Sequence, residues 1–524
     1  MTRVIVIGAG IGGLTAGALL AKRGFEVEIF EQAAVPGGCA STFKRRGFTF
    51  DVGATQVAGL EPGGIHHRIF TELGVALPEA THCDPACAVF LPGETEPIQV
   101  WRDLQKWQTE RQRQFPGSDR FWQILNALFA ISWRFQSRDP VLPPRNLWDL
   151  GQLLQAVRPD TLLTAPFARM TVGDLLQLLG LANDQRLRTF LDLQLKLYSQ
   201  VDASETALLY AAPALGVSQA PQGLFHLEGS MQVLSDRLTQ ALRNHSGQLH
   251  LRHTVKEIHH TDGHVQTVLV FNQRTQTYQT LAADHVVGNL TTHNLIELLT
   301  PELPAPATGS PLPTSLLNLG QYRQRVEALP EPSGAFVVYL GVSAAAIPEN
   351  CPPHLQFLYD AEGPIGENNS LFVSVSRPGD GRAPAGQATI TASSFVDPTP
   401  WFGLAEEEYF ARKQTYQETA IAHLGRYFHL TAETILHQEA ATPRTFAQYT
   451  ARQWGYVGGL SQRRATFGPL SFGTRTPLQN FWLVGDSVHP GEGTAGVSYS
   501  ALMAVRQIEQ AGRSAMRSSG RLVA

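Results

Sequence analysis

Arg3-Val4-Ile5-Val6-Ile7-Gly8-Ala9-Gly10-Ile11-Gly12-Gly13 stands at the start of the chain, and its reading decides the fold. The β-branched run 3–7 has the character of a strand buried in a parallel sheet. It ends in a turn matching G-x-G-x-x-G through Gly8, Gly10 and Gly13, with Gly12 inside it. Residues 14–23 place Leu14, Ala18 and Ala21 on one helical face, and Gly24 supplies the stop. Residues 25–30 read as a second strand closing on Glu31. In such a unit the first glycine permits a sharp turn, the second lets backbone approach a pyrophosphate, and the third lets helix pack on strand. The helix N-terminus adds about half a positive charge, and an acid at the end of the second strand accepts hydrogen bonds from ribose hydroxyls. Residues 3–31 therefore predict dinucleotide binding at Gly8, Gly10, Gly12, Gly13 and Glu31.

A second glycine-bearing loop follows at once, with Gly37 and Gly38 before Cys39, and then Phe48-Thr49-Phe50-Asp51-Val52-Gly53. A nicotinamide dehydrogenase would normally continue into another helix and strand. A further backbone-exposing loop suits a longer cofactor that needs cover along its ribityl chain and ring, so FAD is expected. Near the other end, Phe481-Trp482-Leu483-Val484 reads as a strand running into Gly485-Asp486, and Gly491, Gly493 and Gly496 precede a helix expected over 498–511. Asp486 can accept hydrogen bonds from ribityl hydroxyls, and backbone N–H groups near Gly496 and Val497 can face the flavin N1–C2=O edge, which becomes negative on reduction.

Composition narrows the remainder. The 524 residues are 43% hydrophobic and only 16% charged, with 41 Lys and Arg against 45 Asp and Glu. That is room for two or three interlocked units, and it offers no basic excess for nucleic acid. The low charge implies much apolar surface, inside or out. Cys39, Cys83, Cys87 and Cys351 are too few and scattered for a disulfide framework, and His82, Cys83 and Cys87 lack a fourth donor, so no metal is expected. With neither a leader nor a spanning segment in the pattern, a cytoplasmic protein peripheral to a membrane is expected.

Taken together, the opening motif, the 47–53 segment, Glu228-Gly229-Ser230-Met231 and Gly485-Asp486-Ser487-Val488-His489-Pro490-Gly491 resemble the phytoene desaturase and carotene isomerase family. The likeness runs through both ends and several middle segments. Within that family, residues 49–59 and 122–160 look most like cyanobacterial carotenoid 3′,4′-desaturases, which act on monocyclic carotenoids. The resemblance implies an FAD-dependent oxidoreductase of amine-oxidase-like architecture, with the cofactor role carried by Gly8, Gly10, Gly13, Glu31, Gly485 and Asp486, and the adenine met by the backbone of Val255. One departure stands out: many relatives carry an Arg after the paired glycines where this chain has Cys39, which leaves a phosphate contact missing or supplied from elsewhere.

The expected fold class is α/β, a Rossmann-type FAD-binding domain interleaved with a mixed-sheet substrate domain and a helical membrane-associating subdomain. The expected segments are 1–75, 221–300 and 451–524 for the cofactor, 76–220 for the substrate and helical region, and 301–450 for the substrate domain. Residues 286–289 read as a strand returning to the nucleotide sheet, and 335–340, 371–375 and 388–392 as strands of a substrate wall. Residues 121–154 crowd aromatic and leucine side chains around Pro140, Pro143 and Pro144, with Arg145 and Arg158 nearby. Both ordinary core and a membrane-dipping flap fit that pattern.

The favoured activity is desaturation of an apolar carotenoid, with oxygen or a quinone as final electron acceptor. A cis-trans carotene isomerase, an amine oxidase and a non-catalytic prenyl or lipid carrier remain alternatives. No catalytic residue is assigned; His489 reads more readily as a loop-ordering group than as a base.

Overall fold

The computed structural model describes residues 2–300 and 318–521, so the expected start of the substrate segment at 301 lies outside the described residues. Arg3–Ile7 pairs in parallel with Glu26–Glu31 on one side and His285–Gly288 on the other. Gln248–Leu251 and Phe481–Leu483 complete a five-stranded parallel sheet assembled from both ends and the middle of the chain. Alternation along the first strand divides its core in two. Val4 and Val6 join Leu14, Leu19, Leu234, Leu238, Leu502 and Val505 from the helices Ile11–Lys22, Gln232–Asn244 and Thr494–Arg521. Ile5 and Ile7 face the other way, onto Val255, Ile258, Val268 and Val270 of an antiparallel sheet formed by His253–Thr261, His264–Asn272 and Thr277–Ala282. The last of these strands carries little apolar pattern and is not foreseen in the sequence.

Both glycine-flanked helices begin earlier than expected, at Ile11 rather than 14 and at Thr494 rather than 498. Glycine weakens helix propensity locally, but here the missing side chains are what let the helix pack against its neighbours. A Cβ at Gly17, for example, would sit 2.6 Å from Ile29 Cδ1. The first helix stops at Arg23, and Gly24 follows at φ +87°, a left-handed conformation that glycine adopts without strain.

The second body is a seven-stranded mixed sheet in the order Ile435–Ala441, Gly334–Ser343, Gln387–Val396, Ser370–Val375, His354–Leu358, Cys87–Phe90 and Ile98–Val100. Its pairings are antiparallel except that between His354–Leu358 and Cys87–Phe90. The three expected wall strands are present at its centre. The two contributed by residues 87–100 come from the 76–220 segment, expected as the substrate and helical region, which therefore also completes this sheet.

A buried ionic network joins the two bodies. Arg382, in the connection between two sheet strands, donates to Asp51 Oδ2 from Nε at 3.2 Å and Nη2 at 3.1 Å, and to Asp380 Oδ2 and the Leu227 carbonyl from Nη1. Asp51 closes the Phe48–Asp51 strand and also accepts the Met231 N–H at 2.8 Å, while His226 lies 2.9 Å from Asp380. Replacing one partner of such a group strands the others without water. Arg382→Met is therefore expected to lower unfolding free energy by about 3–5 kcal/mol, measured by denaturant titration; a change under about 1 kcal/mol would show that the network does not join the two bodies.

Candidate functional site

The carboxyl ends of three neighbouring parallel strands bring Gly8, Asn289 and Gly485 to one point. Added Cβ atoms at Gly10 and Gly12 would stand 2.5 and 2.8 Å from the Asn289 amide, and one at Gly485 3.1 Å from its oxygen. At Gly13 a Cβ would overlap the Gly8 carbonyl. The second glycine loop closes over the first: Gly37 N–H donates to the Ala9 carbonyl at 2.8 Å, and Gly37, at φ +122°, bridges to Gly10. Bare backbone from separate segments thus lines one concave surface, with the Ile11–Lys22 N-terminus pointing at it. Asn289 is absent from the sequence-derived set. Its signal is positional, one residue past the returning strand beside the first, where open α/β sheets gather ligands.

Glu31 is buried, and desolvation pushes its carboxyl pKa up against the lowering effect of backbone donors. Its oxygens accept the Ala9 N–H at 2.6 Å and the Ala33 N–H at 2.8 Å, which fixes the side chain and leaves further lone pairs toward the cavity. Val255 lies beyond it, beside His253 and Thr254, at a register shift of its strand. At the opposite end, the first turn of Thr494–Arg521 presents Ala495, Gly496 and Val497. The Val497 N–H, expected to face the flavin edge, is instead spent on the Gly493 carbonyl at 3.0 Å. Among the described residues no acceptor is found for the Ala495 and Gly496 N–H groups, so these are the donors left for a ligand.

Asp486 is not a free acceptor. Arg452, from the turn after the Pro443–Thr450 helix, donates to its Oδ2 at 2.6 Å. Cys39 lines the same wall, half-buried, its thiol pKa raised by burial and moderated by the nearby Arg452. The cation missing after the paired glycines is thus present in space, supplied by a residue more than four hundred positions later. No local pattern marks Arg452, since it reaches the site only through the fold.

These groups lie along one cavity of about 1000 Å³, at the top of the ~300–1,000 Å³ range of small-molecule sites. Past Asp486 it continues between Leu197, Tyr198, Leu209, Tyr210 and Val217 and a face of the seven-stranded sheet bearing Val337, Phe372 and Phe395. A branch passes Ile131, Trp133, Phe135 and Leu153 toward the helices Leu147–Ala156 and Pro159–Leu162.

The expected flap at 121–154 divides in two. Phe121, Trp122, Leu125 and Leu128 are buried, packed with Trp107, Phe115 and Phe190, so the first half of Asp119–Gln136 is core. In the second half of the flap Leu147, Leu150 and Leu154 are exposed, and Leu162 and Leu163 extend the cluster beyond it, with Leu147 87% and Leu163 65% exposed. Asp149, fully buried, anchors their base by accepting from Arg475 Nε at 3.0 and 3.1 Å. Arg134 and Arg138 reach Asp160 at 3.1 and 3.5 Å, tying the connection to the preceding helix. Among the described residues, no helix is long and apolar enough to cross a membrane. No group of three or more His, Cys, Asp or Glu is gathered as metal donors there either. Cys83 and Cys87 are buried in the core and His82 is exposed.

His489 also lines the cavity, near Phe467, with burial pressing its pKa down to about 4. It is therefore neutral near pH 7 and a weak proton acceptor.

Residues 6–73 match the family model described as an NAD(P)-binding Rossmann-like domain. Prolycopene isomerase 2 of an Oncidium hybrid cultivar is 26% identical over 528 residues, covering 96% of this chain and 83% of that protein. The zeta-carotene-forming phytoene desaturase of Myxococcus xanthus is 24% identical over 533 residues, covering 97% and 93%. Cyclohexylamine oxidase from Brevibacterium oxydans superimposes with a TM-score of 0.59 at 16% identity, covering 97% of this chain and 99% of that one. The architecture is accordingly amine-oxidase-like, and the chain's homologues are prolycopene isomerases and phytoene desaturases, as the motifs led us to expect. Neither relative is named as a 3′,4′-desaturase.

The buried His489 sets a pH test. An unfolded histidine takes up a proton near pH 6.5 while the folded one resists until about 4, so its contribution to stability is intact above 6.5 and lost as pH falls toward 4. Through this window His489→Gln is expected to lose less stability than the parent, by on the order of 3 kcal/mol. Parallel denaturation curves at pH 7 and 4.5 measure it; equal losses would place a charged imidazole at this position.

Proposed function

We propose that this protein is an FAD-dependent carotenoid desaturase. The single observation that carries the reading is the continuity of the cavity, which joins a backbone cradle of glycine turns to a long gallery with few charges. In this reading Gly8, Gly10, Gly12 and Gly13 face the pyrophosphate, Glu31 the adenosine ribose and the Val255 backbone the adenine. Gly37 and Gly38 cover the middle of the cofactor. Gly485 and Asp486 meet the ribityl chain, with Arg452 neutralising the carboxylate and bringing positive charge toward the phosphates. The residues present fit the group, because Cβ-free backbone, unspent helix N–H groups and a ribose-facing acid lie in the order a flavin dinucleotide requires. FAD, when bound, supplies an acceptor for hydride at N5, and oxygen or a quinone is the expected final oxidant.

The gallery residues bind by burial, at about 25 cal/mol per Å² of apolar surface, and hold one C–H bond of an elongated hydrocarbon against that acceptor while excluding water. The finer form of the proposal is introduction of a 3′,4′ double bond into a monocyclic carotenoid. Similarity to a prolycopene isomerase over 96% of this chain favours a second reading, cis-trans isomerisation in the same cavity without net oxidation. The gallery favours both over an amine oxidase, whose substrate needs a polar anchor.

Expression in a carotenoid-accumulating host separates the two. A product with red-shifted absorption and two fewer hydrogens is expected. Unchanged conjugation with an altered isomer ratio would replace desaturase by isomerase.

A membrane surface is the proposed source of substrate. Leu147, Leu154, Leu162 and Leu163 project outward beside exposed Arg158 and Arg169, while Leu153 and Thr161 line the cavity behind them. Leucines of this kind enter the headgroup boundary and arginines meet anionic lipid. The triple variant Leu147→Asp, Leu154→Asp, Leu163→Asp is expected to reduce flotation with anionic phospholipid vesicles at least tenfold while its thermal midpoint stays unchanged. Undiminished flotation would assign membrane contact to another surface.

A further inference from the structure

Glu492 stands in the loop between Asp486 and the Thr494–Arg521 helix, and the roles above leave it unused. It lines the cavity where the cofactor cradle meets the gallery. Its backbone is held from both sides by Gly491 at φ +116° and Gly493 at φ +85°, in conformations that favour glycine. Its carboxyl packs so closely on the facing loop that a Cβ at Gly458 would lie 2.5 Å from Oε2. That loop is itself pinned, because Gln200 Nε2 donates to the carbonyls of Gly458 at 2.7 Å and Gly459 at 3.0 Å. The carboxyl is therefore positioned, yet it is unpartnered: among the described residues it accepts no hydrogen bond and pairs with no cation.

The surrounding charges explain why it stands apart. Arg452, the nearest cation, is committed to Asp486, and Cys39 lies against that pair. Tyr198 and Tyr210 face the carboxyl from the gallery side and are themselves buried phenols held protonated. His489, from the same loop, is neutral. Desolvation, with the like charge of Asp486 added, raises the Glu492 pKa well above its ordinary value despite Arg452. Such a carboxylate is a stronger base than an exposed one, and once ionised its charge, with that of Asp486, favours positive charge developing beside it.

We propose that Glu492 is the proton acceptor of the desaturation, a proposal that rests on the desaturase reading above. FAD held by the glycine cradle would supply the acceptor for the hydride that leaves one C–H bond of the substrate with its electron pair, and positive charge would then spread over the polyene. The neighbouring C–H bond then gives its proton to the Glu492 carboxylate, and its electron pair becomes the new C=C bond. The proton leaves to water between turnovers, and the two electrons pass on to oxygen or a quinone.

The test is single-turnover bleaching of flavin absorbance in the flavin-loaded protein, anaerobically, with γ-carotene or lycopene delivered in phospholipid vesicles across a pH series. For the parent, the rate is expected to rise with pH to a plateau as Glu492 ionises. Glu492→Gln, which keeps the size of the side chain, is expected to bind flavin in equal amount, to bleach about 100-fold more slowly or worse, and to lose the pH dependence. Glu492→Asp is expected to recover part of the rate together with the pH dependence. A Glu492→Gln protein that is flavin-loaded, within threefold of an active parent and unchanged in pH profile overturns the assignment of the base alone. If Glu492→Gln cannot hold flavin, Glu492→Asp decides: a parental rate with a flat profile overturns the assignment. A flavin-loaded parent that neither carotenoid bleaches overturns the desaturase reading, and the base with it.

Discussion

The whole arrangement depends on how closely backbone approaches backbone where three parallel strands end. Gly8 and Gly13 leave no space for a side chain between turn and helix, while Gly10, Gly12 and Gly485 close around the single amide of Asn289. Because the space is filled by main chain and one small side chain, the helix N-terminus can face a ligand directly, and the first and last segments of the chain must meet there. The rest follows from satisfying that meeting. The three helices and the antiparallel sheet cover the two apolar faces of the parallel sheet, and the seven-stranded sheet is joined to it by buried ions around Arg382.

Charge is used sparingly inside this framework, and three of its buried groups pair acid with arginine. Asp51, Asp380 and Arg382 form one group, Asp149 and Arg475 a second, Asp486 and Arg452 a third. Burying a single ion is costly enough that an unpaired one shifts toward its neutral form. Glu492 is the cavity-lining carboxyl to which this applies most directly, and its position between cradle and gallery is what gives the exception chemical interest. The low charged fraction of the sequence reflects the same economy, since apolar surface goes into two sheets, a gallery and a cluster of outward leucines.

Local sequence carried the parts of this that are local. The first strand, turn, helix and second strand were legible because β-branched residues, three spaced glycines and a terminal acid agree with one another. The last strand and its glycines were legible for the same reason. Central strands of the substrate sheet could be read from their apolar runs, but Thr277–Ala282 and Ile435–Ala441 could not, because their exposed faces dilute the pattern. Arg452 was invisible, since its meaning comes from Asp486 and Cys39, neither near it in sequence. The outward leucines were legible in part: Leu147 and Leu154 fall inside the 121–154 segment and Leu162 and Leu163 beyond it, while the aromatic residues at 121–135 look alike whether they meet core or lipid. Only the packing of Trp107, Phe115 and Phe190 against Trp122 decides that.

The central claim is that the backbone cradle holds a flavin dinucleotide at the inner end of an apolar gallery. Its most direct measurement is extraction and quantification of the cofactor from the full-length protein, followed by equilibrium titration of stripped protein with FAD and, separately, NAD. The account predicts one FAD per chain, recovered on reconstitution and displaced by NAD only at great excess. A protein that comes away without flavin and binds NAD in preference, or binds neither, would contradict it.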